Sequence, residues 1–300
     1  MDVASLVGKA LGWDPSKLRI QPIVAGLTNK NYRLDYGGRT FFLRMPGPAT
    51  ELLAVDRENE LHNTRAAARA AVGPRVLQHD PNTGAILLEW LPGRTMSNEA
   101  FQAPGMPARI AEALRRLHAG PRFRDDFDMF QIQPRYLRLV QERGFRLPER
   151  YLEFEPQVRR IEEAMAVRDE GTVPCNNDLL AENFIDVGDE FRLIDYEYSG
   201  NNDACFELGN VWSESNLSLE QLDELVSHYY ARPLANKVAR ARLWGLMSKY
   251  GWTLWASIQD GVSDIDFDFW GWGMEKYERA VAEFDGPDFE RLLEDVRRED

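Results

Sequence analysis

Cysteine is nearly missing from this 300-residue chain. Its two thiols, Cys175 and Cys205, form no disulfide framework and no metal-ligand spacing, so a reducing cytoplasm is the expected compartment. Long apolar runs are missing as well. No stretch approaches the roughly 20 residues that cross a bilayer, and the opening MDVASLVGKALGWD lacks the basic flank and long apolar centre of a signal peptide. Neither a membrane nor a secretory route is expected. Positive charge is in short supply, with 36 Lys and Arg against 49 Asp and Glu and a net charge of −13, which argues against nucleic acid as a partner. Internal repeats and low-complexity segments are lacking too.

What remains is an ordinary globular composition, 28% charged and 44% hydrophobic, which excludes disordered and fibrous classes. Its length suits one large domain or two lobes; nothing in it sets an oligomeric state. From Asp260 to Asp300 there are fourteen acids against five bases, a net of −9. Such a run serves as a solubilising surface or as an acidic mouth that concentrates a cationic substrate.

The first ninety residues read as strand-rich. RIQPIVAG (19–26) and NYRLD (31–35) have strand character, and RTFFLRM (39–45) pairs with the second across Tyr36-Gly37-Gly38. A helix is expected from about Ala54 to Ala70, with Leu61, Arg65 and Ala68 on one face, ended by Val72-Gly73-Pro74. TGAILLEWLPG (83–93) is expected as a buried strand, and its closing Pro92-Gly93 as a hinge. Beyond it the pattern turns helical. ARIAEALRRLHAG (108–120) carries Ile110, Leu114 and Leu117 on one stripe, with His118 as a helix-end residue without chemistry. Helices at about 218–230 and 235–258 precede an acidic, aromatic loop and a final helix.

Within PCNNDLLAENFIDVGDEFRLIDYEY (174–198) lies a constellation of oxygen-bearing side chains. FIDV (184–187) and FRLI (191–194) flank Gly188-Asp189-Glu190, a hairpin closure. Pairing Val187 with Phe191 sets Asn183 opposite Asp195, with Cβ atoms roughly 4.5–5.5 Å apart. Such a pair suits one hard divalent cation, Mg²⁺ on nucleotide phosphates above all. Asp178, on the loop entering the hairpin, is placed to accept a proton from a hydroxyl. On spacing alone the same residues serve equally as turn and end residues of a polar hairpin.

DxxxxN at Asp178–Asn183, followed by IDYE at Ile194–Glu197, resembles the catalytic and metal-binding segments of the aminoglycoside phosphotransferase and choline kinase superfamily. NNDLLAENFI (176–185), IDYEYSGNNDACFELGN (194–210), GLTNKNYRL (26–34) and FFLRMPG (41–47) are similar to its choline/ethanolamine kinase branch. The resemblance implies a bilobal α+β protein-kinase-like fold. An N-terminal antiparallel sheet lobe with one helix would span 1–91, and a larger, mostly helical lobe 92–300. It implies Asp178 as catalytic base, Asn183 and Asp195 as magnesium ligands, and a loop including Gly26, Thr28 and Asn29 over the ATP phosphates. It also implies Arg44 in the place of a phosphate-contacting lysine, Glu60 as its partner, and Glu89 to Leu91 as the adenine-contacting hinge. Without the resemblance, Arg44 and Glu60 read as an exposed surface pair. The family pattern has His where this chain has Asn176; Asn keeps hydrogen-bonding capacity but loses imidazole bulk, so at worst activity is reduced or retuned.

On the 235–258 helix, Trp244, Met247, Gly251, Leu254 and Ile258 form a core stripe, with Ser248, Trp252, Trp255 and Gln259 on the face beside it. Trp272 follows in FDFWGWGM (267–274). A quaternary ammonium has no N–H to donate and is held by aromatic faces. The resemblance points to the same residues, likening YGWTLWASIQ (250–259) to a choline-binding helix and adding Trp272, Tyr198, Trp212 and a charge-neutralising Glu214. The expected function is Mg²⁺-ATP-dependent phosphorylation of choline or a similar small cationic amino alcohol. Alternatives are an ethanolamine, thiamine or aminoglycoside kinase of the same fold, or a non-catalytic sensor of methylated amines.

Overall fold

A computed structural model describes residues 3–24, 26–47 and 50–299. Ala25, within the first expected strand segment, lies outside the described residues. Helix α1 (Val3–Leu11), not anticipated from sequence, leads into β1 (Arg19–Ile23), β2 (Asn29–Tyr36) and β3 (Arg39–Pro46). Gly37 and Gly38 sit at φ +58° and +74°, the left-handed conformation that this two-residue hairpin turn demands. After helix α2 (Arg57–Arg69), strands β4 (Val76–His79) and β5 (Ile86–Glu89) complete an antiparallel sheet in the order β1-β2-β3-β5-β4. β4 also escaped the sequence reading. The sheet buries its own small core, with Leu34, Phe41, Leu43 and Leu87 packed against Val7 of α1.

α2 begins at Asp56, whose carboxylate accepts the N–H groups of Glu58 and Asn59 at 2.9 Å each, a strong N-cap. The expected apolar face is not the buried one. Arg65 is exposed and Leu61 and Ala68 are part-exposed, while Glu60, Asn63, Thr64 and Ala67 face inward. The reason is that α2 bridges two regions. Asn59 and Asn63 donate to the Ser199 carbonyl at 2.9 and 3.1 Å, and Ala66 and Ala67 join the larger core.

Beyond Gly93 come β6 (Arg94–Thr95), α3 (Asn98–Phe101), α4 (Met106–His118), α5 (Met129–Arg143), α6 (Glu155–Ala166) and β7 (Val173–Cys175). Then follow β8 (Phe184–Asp186), β9 (Phe191–Leu193), β10 (Gly200–Asn202), α7 (Ala204–Glu214), α8 (Leu219–Tyr230), α9 (Ala235–Val262), α10 (Phe269–Phe284) and α11 (Phe289–Asp295). FDFWGWGM is not a loop: Asp268 caps α10 by accepting the Gly271 N–H at 2.8 Å, and Trp272 sits in the first helical turns. α9 is the axis of this region. Every residue from Leu243 to Gln259 is buried, so both of its stripes are interior. Among the described residues, no helix is long and apolar enough to cross a membrane.

α7 and α9 cross where Gly209 meets Gly245. A Cβ on Gly245 would lie 2.7 Å from the Gly209 carbonyl oxygen and 2.8 Å from the Trp212 ring. Gly245→Ala is therefore expected to destabilise the protein by about 1–3 kcal/mol through overpacking. Urea unfolding reads this as a lower midpoint at unchanged slope; an unaltered midpoint would show that the crossing has slack.

Candidate active site

The loop after β7 is tied down by one buried carboxylate. Glu207, on α7, accepts the N–H groups of both Asn176 and Asn177, the latter at 2.9 Å. Its other oxygen faces His118 Nε2 at 2.7 Å, and His118 Nδ1 meets the Tyr229 hydroxyl at 2.7 Å. His118, Cys175 and Glu207 could be taken for a metal cluster, but their polar atoms are committed to one another and to the loop. His118 is a brace.

Asn176 does what its position requires. Its Nδ2 donates to the carbonyls of Ile194 and Asp195 at 3.2 and 2.8 Å, and its Oδ1 accepts the Asp178 N–H at 3.1 Å. The loop carrying Asp178 and the segment carrying Asp195 are joined through this one amide. Asn177 sits at φ +68°, a conformation Asn tolerates better than most residues. Leu179 donates to Asn210 at 2.7 Å, and Asn210 to Ser248 of α9 at 2.9 Å.

The hairpin forms with a register one residue away from expectation. Asp186 pairs with Phe191 and Phe184 with Leu193, leaving Val187 to Glu190 as a four-residue loop closed by Val187 N–H to the Glu190 carbonyl at 3.1 Å. This register puts Phe184 and Leu193, both fully buried, side by side in the core. Asn183 consequently stands opposite Ile194, whose N–H it accepts at 2.9 Å, and not opposite Asp195. Asp195 turns out of the strand at φ +61°. Asn183 Nδ2 donates to the Asp178 carbonyl at 2.6 Å, which leaves Oδ1 as its free ligating atom.

Arg44 and Glu60 form a buried ion pair, 6% and 0% exposed, not a surface one. Arg44 reaches further, to Asp195 Oδ1 at 2.9 Å. Two residues missed from sequence extend the network. Arg57 contacts Glu60 at 2.7 Å, Glu197 at 3.3 Å and Asn29 Oδ1 at 2.9 Å, and Asn29 Nδ2 donates to Glu197 at 2.9 Å. Arg57 was findable at three residues before Glu60 on the same helix. Gly26, at φ +96°, is exposed and Thr28 part-exposed on the loop that Asn29 anchors. At the hinge, the Glu89 side chain and N–H are both engaged by Arg75, at 2.7–3.0 Å, so any base contact there falls to the backbone toward Leu91.

The aromatic residues converge in part. Trp255 Nε1 donates to the Tyr198 hydroxyl at 2.7 Å, Tyr198 meets Trp252 edge-on at 5.0 Å, and Trp255 meets Trp272 at 5.5 Å. Trp212 stands apart at the α7–α9 crossing, beneath Lys249 at 4.4 Å; burial holds the Lys249 amine down to about 8. Glu214 is not an unpaired carboxylate. It is ion-paired with Lys276, whose Nζ also lies 4.0 Å from the centre of the Trp272 ring. Lys276 stands four residues after Trp272 on α10, a spacing that carried the signal. The other Glu214 oxygen, Oε1, is buried without a partner.

The sequence model of the choline/ethanolamine kinase family matches residues 20–229. A choline/ethanolamine kinase family protein from Mesorhizobium loti, of known structure, superposes with a TM-score of 0.82 at 32% identity, over 93% of this chain and 92% of that one. The chain belongs to the choline/ethanolamine kinase family. Among curated relatives, Protein LicA of Haemophilus influenzae is 28% identical over 250 residues, 79% of this chain and 72% of that protein. Ethanolamine kinase 2 of Mus musculus is 27% identical over 288 residues, 86% and 74% of the two chains. The fold is the protein-kinase-like one expected, and the family's chemistry is phosphoryl transfer to an alcohol group.

In this family member the site gathers acids. Asp178 keeps part of its surface open, yet the protein crowded around it and the charges of Asp195, Glu214 and Glu197 push its carboxyl well above the ordinary value of 3.8; Lys276 opposes them. Burial and then the Asp195 charge also raise Glu197, against Arg44 and Arg57. Carboxylates held together with too little positive charge, beside a free amide oxygen on Asn183, fit a divalent cation.

The Asn176 brace makes a prediction about sign. Asn176→Asp replaces the donor facing two carbonyls with a carboxylate oxygen, whereas Asn176→Ala only removes it. Asn176→Asp is expected to cost more stability than the about 1–3 kcal/mol of an unsatisfied buried group, measured by urea unfolding. Equal losses would show that Nδ2 does not hold the two carbonyls.

Proposed function

We propose that this protein transfers the terminal phosphoryl group of Mg²⁺-ATP to the hydroxyl of choline or a closely similar amino alcohol. The observation that carries the reading is the convergence of Tyr198, Trp252, Trp255 and Trp272 on a wall tied, through Asn210 and Ser248, to the loop bearing Asp178. Asp178 orients the acceptor hydroxyl and takes its proton. Asn183 Oδ1 and Asp195 are the groups that would hold Mg²⁺, which when bound neutralises phosphate charge and relieves the repulsion among the acids. Arg44, kept in place by Glu60, presents a permanent cation toward the phosphates. The loop with Gly26, Thr28 and Asn29 covers them, and the backbone near Leu91 receives the base. Residues 1–91 and 92–300 act as two lobes around this cleft, a division supported by the sheet's separate core. Catalysis in such a site is positioning and charge stabilisation.

Aromatic faces hold the substrate's cation, and choline is the first candidate. Ethanolamine is the second, on a specific ground. Lys276 covers one face of Trp272, and the unpartnered Glu214 Oε1 is an acceptor that a primary ammonium can use and a quaternary one cannot.

A Mg²⁺-dependent ADP-release assay with choline, ethanolamine, thiamine and kanamycin separates these readings; release only with kanamycin or thiamine would end the proposal. Asp178→Asn is expected to lower kcat about 10²- to 10⁴-fold while nucleotide affinity, read by calorimetry, is kept. Turnover equal to wild type would remove Asp178 from its role. Trp255→Ala is expected to raise KM for the amino alcohol about 3- to 30-fold and to leave KM for ATP unchanged; parallel rises in both would point to a folding defect.

A further inference from the structure

Gln259 stands one turn beyond Trp255 on α9, on the face that also carries Trp252, and it is 4% exposed. Its Nε2 donates to the Leu27 carbonyl at 2.8 Å, a bond spanning 232 positions of sequence. Leu27 belongs to the Gly26–Asn29 loop, between β1 and β2. Its side chain packs against the larger core and not against the core of its own sheet. Two residues on, Asn29 is fastened to Glu197. The loop is thus docked at two points, and they differ in kind. Asn29 meets a buried acid next to Asp195, while Leu27 meets the helix that supplies Trp252 and Trp255. The α9–α10 connection closes on the loop again, since Ile265, Asp266 and Phe267 share with Val24, Gly26 and Leu27 a cavity of about 390 Å³.

We propose that Gln259 is a positioning residue that couples nucleotide binding to amino-alcohol binding by latching the loop onto α9. The inference rests on the reading above, in which the loop covers ATP phosphates and the aromatic wall holds the amino alcohol. The Gln259 amide bonds to Leu27 only when the loop is down on α9. A ligand that steadies the wall through Trp255 therefore favours the lowered loop, and a nucleotide that holds the loop down steadies the wall. Linkage makes the effect reciprocal: each ligand tightens the other by the same factor. A single part-buried hydrogen bond of this kind can carry about 3- to 10-fold of such coupling.

The test is calorimetric titration of choline and of ethanolamine, with and without a saturating magnesium complex of a non-hydrolysable ATP analogue. It is run on wild type, Gln259→Ala and Gln259→Glu. In wild type the amino alcohol is expected to bind about 3- to 10-fold tighter with the analogue present, and the analogue equally tighter with the amino alcohol. Gln259→Ala should abolish this factor while each ligand alone binds as in wild type. Gln259→Glu, of the same size but with no N–H for Leu27, should behave like Gln259→Ala. Coupling retained in either variant overturns the latch. So does weaker binding of the amino alcohol alone, which would make Gln259 part of the substrate wall only. If wild type binds neither amino alcohol, the reading of the site fails and the latch falls with it. Binding without coupling in wild type defeats the latch alone.

Discussion

A guanidinium buried to 6% exposure holds the cleft in register. Arg44 leaves β3, pairs with Glu60 of α2 and reaches Asp195 at 2.9 Å, so sheet, bridging helix and the segment carrying Asp195 meet on one side chain. Taking these charges out of water is costly, and such a pair often adds little net stability compared with apolar residues of the same volume. What it adds is geometry. Arg44 has several donors in a fixed plane, and each acid it meets comes from a different part of the chain. Glu60 is shared with Arg57, which continues the network to Glu197 and Asn29. Removing Arg57 would leave the buried Glu197 without its cation, and removing Arg44 would do the same to Asp195, so the elements that frame the cleft depend on one another.

The second anchor works by the opposite logic. Around Glu207 the donors are backbone N–H groups of the loop and a histidine, and that loop carries the part-exposed Asp178. The loop is rigid because its amides are satisfied, and Asn176 extends that rigidity to Asp195. At 176, where the resemblance expects an imidazole, an amide donates to two carbonyls of the partner segment and accepts one N–H of the loop. Positions 177 and 195, both at positive φ, mark where backbone strain is stored in the service of that arrangement.

Much of this was legible in the sequence, because order and spacing of motifs survive where periodicity is weak. The Gly37-Gly38 hairpin, α4, α8 and the long α9 follow from local rules, and the Arg44–Glu60 pair that the resemblance implied is present. The register of the β8–β9 hairpin did not follow, since the choice between a three- and a four-residue loop was decided by burying Phe184 against Leu193, a tertiary fact. The buried face of α2 was misjudged for a related reason: its inward residues are polar and satisfied by partners about 140 positions away. No apolar stripe could announce them. Lys276 was passed over because a lysine reads as surface until its Glu214 partner is seen.

The acidic C-terminal stretch shows how pairing redistributes what a charge count suggests. Asp260, Glu283, Asp285, Asp288, Glu290, Asp295 and Glu299 face arginines, five of them elsewhere in the chain: Arg146, Arg242, Arg150, Arg160 and Arg168. Much of the net −9 is therefore cancelled locally and cannot act at a distance, because the field of a close pair falls off faster than that of a lone charge and is screened within a Debye length of about 8–10 Å. Asp268 is spent on capping α10. Asp266 is differently placed, on the wall of the cavity beside the Gly26–Asn29 loop. Any pull on an approaching cation comes from this mouth and from the under-neutralised acids within, Asp178, Asp195 and Glu197. In the proposed function the charge that attracts the substrate is then the same charge that a bound Mg²⁺ would balance, and it lies in the interior of the cleft and not in the tail.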